Sequence, residues 1–129
     1  EGGHRDVEEK RAWWRMVEWA ADNAPATGLA LELGAAAARW SAPAILAEFD
    51  GYLGVDLHAP RCRASARERR IAILPAYVEP LVAALVPGSV DAVFARHFLE
   101  HVPDLAGLLA GVRGAAFAPG SLIQSATQR

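Results

Sequence analysis

The sequence predicts an α/β domain: a mostly parallel sheet with helices on both faces. Three observations predict it. Five short apolar runs read as strands, most of them beside Gly, Pro or Asp. Helix-compatible stretches separate these runs, and that alternation builds βαβ units and a parallel sheet. The chain is 129 residues long, one domain's worth, and can bury a core without disulfides or a metal. Hydrophobic residues make up 53% and charged residues 22%, which excludes disorder over most of the length.

The elements follow in order. Residues 1–3 are a loose end, and His4 to Asn23 has a helical pattern. Trp13, Met16, Val17 and Ala20 recur at i, i+3, i+4, i+7, the spacing of one helix face. Trp13, Trp14 and Trp19 are expected to pack in the core and at its edge rather than form a ligand cage. Pro25 and Gly28 stop the helix. Leu29 to Leu33 is a buried strand ending at Gly34. Ser41 to Phe49 is a helix with Pro43 in its first turn. Asp50-Gly51 is a turn, and Tyr52 to Asp56 is a second strand ending on a carboxylate.

Pro60 to Arg70 is basic and helix-compatible, and Ile71 to Leu74 is a third strand. Leu81 to Val86 is ambiguous between helix and loop. Val90 to Ala95 is a fourth strand, and Phe98 to His101 starts a helix or turn. Leu105 to Val112 is helical, with Asp104 as its N-cap. Pro119-Gly120 turns the chain into a fifth strand, Ser121 to Ile123, followed by a polar, frayed end.

Charge and cysteine usage bound the function. A net charge of -2 gives no electrostatic reason to expect nucleic acid. No apolar run reaches the length of a membrane span, and no basic leader opens the chain, so a cytoplasmic protein is expected. Cys62 is the lone cysteine, so no intrachain disulfide and no metal-ligand spacing exist. Arg61, Arg63, Arg67, Arg69 and Arg70 are expected to form a solvated helix face rather than an anion site, because Glu68 interrupts them.

Ligands of open α/β sheets bind at the carboxyl ends of the strands. Glu32 and Gly34 follow the first strand, Asp56 the second, and Arg96 with His97 the fourth. A glycine at position 34 allows a sharp strand-to-helix turn and close ligand approach. An acid about 20 residues beyond such a turn suits the hydroxyls of a ribose, and Asp56 has that spacing. An Asp that only caps the next helix is the alternative.

The stretch Leu31-Glu32-Leu33-Gly34-Ala35-Ala36-Ala37-Ala38 resembles the first motif of class I S-adenosylmethionine-dependent methyltransferases. Gly51 to Leu57 is similar to their second strand. Ser89 to Ala95 followed by Leu99-Glu100-His101 resembles the fourth-strand motif of the small-molecule members, and Pro119-Gly120-Ser121-Leu122 the turn before the fifth strand. The matches occur in the family's order over residues 28 to 124.

The resemblance implies a Rossmann-like three-layer sandwich of strand order 3-2-1-4-5, with the family's last two strands missing. It implies one domain over residues 1–129: an N-terminal helix in 1–25 and a cofactor-binding core in 28–124. Glu32 would fix the loop or contact the amino-acid end of S-adenosylmethionine, and Gly34, Ala35 and Ala36 would run beneath its methionine part. Asp56 would hold the ribose, with Leu57 against the adenine and Glu79 near the adenine amino group. Arg96 and His97 would lie beside the cofactor, facing the substrate opening. His97 and His101 are the candidates for a catalytic base, and backbone hydrogen bonding is the alternative role for either. No metal is implied.

Two departures qualify the expectation. Ala36 and Ala38 stand where the family motif has glycines. At a position needing positive φ, a Cβ costs on the order of 1 kcal/mol. The chain also stops just after its fifth strand, leaving that strand as an exposed edge. Either the chain is a fragment, or a partner or second copy covers the edge, or the protein is a reduced member of the family. The function expected is methyl transfer to a small-molecule acceptor. The alternative is a non-catalytic domain of the same kind that binds cofactor or a protein partner.

Overall fold

The computed structural model describes residues 2–35, 41–57, 70–96, 98–116 and 122–126. The elements are α1 (Gly2–Asn23), β1 (Leu29–Leu33), α2 (Ala42–Glu48), β2 (Gly51–Val55), β3 (Ile71–Leu74), α3 (Val78–Ala84), β4 (Ala92–Arg96), α4 (Leu105–Ala116) and β5 (Leu122–Ala126). A 3₁₀ turn, Leu99–His101, follows β4.

The strands form one sheet in the order β3-β2-β1-β4-β5. Every neighbouring pair is parallel. The expected fold class and strand order are therefore those observed. β1 and β4 are buried along almost their whole length, as strands covered on both faces must be. β3 lies at an edge, and its residues alternate between half-buried and exposed.

Two apolar clusters form the outer layers. On one face α1 and α2 pack Trp13, Val17, Ala20, Ile45 and Phe49 against Tyr52 and Phe94 of the sheet. The Phe94 ring lies 5.7 Å from that of Trp13 and meets that of Phe49 edge-on at 5.9 Å. On the other face Val78 and Val82 of α3 and Leu108 and Val112 of α4 cover Leu31, Leu33, Val55 and Val93. Of the predicted stripe of α1, Trp13, Val17 and Ala20 are buried and Met16 is half-buried, but Trp14 and Trp19, expected at the edge of the core, are exposed.

Local sequence accounts for the boundaries. The Asp91 carboxylate accepts from the Gly28 and Leu29 N–H groups and so fixes the start of β1. The Asp104 carboxylate accepts from Gly107 N–H at 3.0 Å, the predicted N-cap of α4. Several expectations need correction: α1 already begins at Gly2, β2 spans Gly51–Val55 rather than 52–56, and α4 runs on to Ala116. Residues 78–84 are helical although 81–86 looked ambiguous, because Pro80 falls in the first turn, where a missing N–H costs nothing. β4 begins at Ala92, two residues later than expected, and ends at Arg96. β5 runs on to Ala126, because Gln124 and Ser125 pair with Phe94 and Ala95 through backbone that is indifferent to their polarity. The basic stretch 60–69, with His58 and Cys62, lies outside the described residues.

Candidate functional site

β1 is flanked by β2 on one side and β4 on the other, so the chain reverses direction across the sheet beside it. Such a switch point opens a crevice at the strand carboxyl ends. A cleft of about 560 Å³ lies there. Gly34, just past β1, and Asp56, just past β2, both line it. Gly34 has φ +68°, the left-handed conformation that favours glycine. Its N–H and that of Ala35 both donate to the Val55 carbonyl, which fastens the turn to the end of β2.

The cleft walls are mainly apolar. Leu57 and Tyr77 are 46% and 64% exposed, large apolar surfaces left open in the crevice. Phe98 and Val102 face them from the segment after β4, and His101 of the 3₁₀ turn joins that wall. Glu79, in the first turn of α3, supplies a second carboxylate.

Beneath the turn sits a buried polar cluster. Glu32 of β1 is 2% exposed. Its Oε1 accepts hydrogen bonds from Ser41 Oγ at 2.5 Å and from the Tyr52 hydroxyl. Burial pushes its pKa up to about 7, against the opposing pull of these two donors and of Arg96. Ser41 precedes α2 but does not cap it with its side chain. Pro43, at the second helical position, has no N–H to give, so the hydroxyl turns to Glu32.

The family described as "Methyltransferase domain" matches residues 31–123, well over half of the chain. This chain belongs to the methyltransferase domain family. Solved structures agree in fold. A candidate type II methyltransferase from Anaeromyxobacter dehalogenans is 27% identical with a TM-score of 0.74, over 88% of this chain and 46% of that one. The YcgJ protein from Bacillus subtilis is 20% identical with a TM-score of 0.71, over 85% of this chain and 47% of that one. The methyltransferase CalH, solved with SAH, is 16% identical with a TM-score of 0.67, over 85% of this chain and 34% of that one. The chain thus spans about half the length of the first of these structures. Among curated proteins, none matches its sequence significantly.

The methyltransferase domain brings Gly34, Asp56, Leu57, Glu79 and His101 to one cleft. Glu79 reaches it from the first turn of α3. Ala35 is buried under the turn, and Ala36 and His97 lie outside the described residues. Glu32 does not line the cleft; its carboxyl is bonded to Ser41 and Tyr52 beneath the turn. Arg96 does not line it either, and its guanidinium pairs with Glu9 of α1 at 3.2 Å. Sequence reasoning missed Tyr77 and Phe98 as cleft walls and Ser41 and Tyr52 as partners of Glu32. A tyrosine inside a buried strand signals a hidden polar partner, since its hydroxyl needs one. Among the described residues, no helix is long and apolar enough to cross a membrane.

Proposed function

We propose that the cleft binds S-adenosylmethionine and that the protein transfers the methyl group to a small-molecule acceptor. The observation that carries this reading is the meeting of Asp56 and the Gly34 turn in one apolar-walled crevice. An adenosyl cofactor needs a carboxylate for its ribose diol, an apolar wall for its base and close backbone approach for its amino-acid end. Asp56, the pair Leu57 and Tyr77, and Gly34 offer these in turn. The cleft volume falls within the roughly 300–1,000 Å³ usual for ligand pockets.

The bound cofactor supplies a methyl group already activated on a sulfonium. The chain's contribution is then chiefly positioning. Asp56 accepts hydrogen bonds from the diol, and Leu57 and Tyr77 exclude water from the base. The His101 imidazole stands at the same cleft, where it can take a proton from an acceptor that carries one. Ala36 and Ala38, in place of motif glycines, favour a second reading in which the domain binds cofactor without turnover.

Thermal unfolding with separate probes tests the reading. S-adenosylhomocysteine at 100 times its Kd should stabilise the chain by about 2.7 kcal/mol. Stabilisation by NAD, with none from S-adenosylhomocysteine, would point to a nicotinamide site instead.

A further inference from the structure

Glu32 and Ser41 are the buried polar residues among those described, and the proposed function does not use them. A polar cluster in a core is costly unless every member is bonded, so its geometry restricts what surrounds it. Glu32 lies two residues before Gly34, within β1 and just ahead of the turn. Tyr52 lies two residues before Gly54, on the same face of β2. A Cβ at Gly54 would sit 3.0 Å from Tyr52 Cε1 and 2.8 Å from the Ala35 Cβ. Gly54 thus leaves room for the phenol to run along β2 to Glu32, and for Ala35 to settle over it. The backbone of the turn is tied to Val55, and the side chain beneath it is tied to Tyr52. Ser41, at the far end of the β1–α2 connection, is held twice: its hydroxyl donates to Glu32, and its carbonyl accepts from Trp13 Nε1 at 2.9 Å.

We propose that Tyr52 and Ser41 are positioning residues for the cleft: bonded to one carboxyl oxygen of Glu32, they hold both ends of the connection that begins at the Gly34 turn. The ligand-binding part of this proposal rests on the cofactor reading; the hold on the turn does not. Charged neighbours of Glu32 are Arg96 of β4 and Asp56 beyond β2, and Arg96 is in turn paired with Glu9 of α1.

The test is hydrogen exchange at the Gly34 and Ala35 amides in the full chain, as a ratio to amides of the central β1–β4 ladder, so that global destabilisation cancels. Tyr52→Phe keeps the ring and removes the hydroxyl. It should speed exchange at both amides about five-fold, the loss of one hydrogen bond. It should also weaken S-adenosylhomocysteine binding by about five-fold. Losing a donor to Glu32 should move the pH midpoint of stability upward, which a merely space-filling tyrosine would not do. Ser41→Ala is the second variant should Tyr52→Phe fail to fold. Glu32→Gln, whose amide oxygen can accept from both hydroxyls, should keep the turn protected. Exchange at Gly34 and Ala35 that stays in step with the ladder in Tyr52→Phe and Ser41→Ala would overturn the proposal. A wild-type chain that binds no S-adenosylhomocysteine would count against the cofactor reading alone, with exchange still deciding whether Tyr52 holds the turn.

Discussion

Gly34 shows most directly how one residue fixes the site. Its φ of +68° lies where a side chain costs about 1–2 kcal/mol. A Cβ there would also lie 2.6 Å from Cδ1 of the Phe98 ring. Gly34→Ala should therefore lower the unfolding free energy by about 2 kcal/mol in urea titrations, with the penalty falling at the cleft. The sequence made Gly34, Asp56 and Leu57 legible because strand ends are where such sheets bind ligands. It did not make the partners of Glu32 legible. Ser41 is 9 positions away and Tyr52 is 20, and only strand register brings the phenol to the carboxyl. The partner of Arg96 was hidden for the same reason: a strand-end arginine looks available to a ligand, and α1 supplies Glu9 to it across 87 positions.

The bounds of β1 and β3 and the start of α4 were readable to the residue. β1 and β3 have the expected bounds because apolar runs between turn residues leave no alternative register. α4 begins after Asp104 because that carboxylate takes an N–H the helix cannot satisfy itself. Asp104→Ala should cost about 1 kcal/mol, seen as a lower urea midpoint at unchanged slope. α1 is anchored by Trp13, whose ring is 2% exposed and whose N–H reaches across to Ser41. Trp13→Ala should cost about 3–5 kcal/mol in the same assay, through a cavity between helix and sheet. α3 and the end of β5 were less legible. Pro80 breaks a helix only beyond its first turn, and polar residues in β5 still carry a ladder that depends on backbone alone.

For the whole molecule, the buried carboxyl couples folding to pH. Its pKa of about 7 lies above the ordinary carboxyl value of 4.5, so the folded state holds this proton more tightly than the unfolded chain. The stability it contributes is full below about pH 4.5 and is lost as pH rises through about 7. Relative to Glu32→Gln, the wild type should therefore lose a few kcal/mol of unfolding free energy between pH 4.5 and 8, read from urea curves at each pH. A wild-type-minus-variant difference that is flat across that window would mean Glu32 does not titrate there. We propose above that the crevice beside β1 is an adenosyl-cofactor site held by Asp56. Calorimetric titration with S-adenosylhomocysteine, which needs no acceptor, tests it most directly. Saturable micromolar binding is expected, weakened at least about tenfold by Asp56→Ala through loss of a charge-assisted hydrogen bond. Binding indifferent to Asp56→Ala, or no heat and no thermal stabilisation at millimolar ligand, would contradict it.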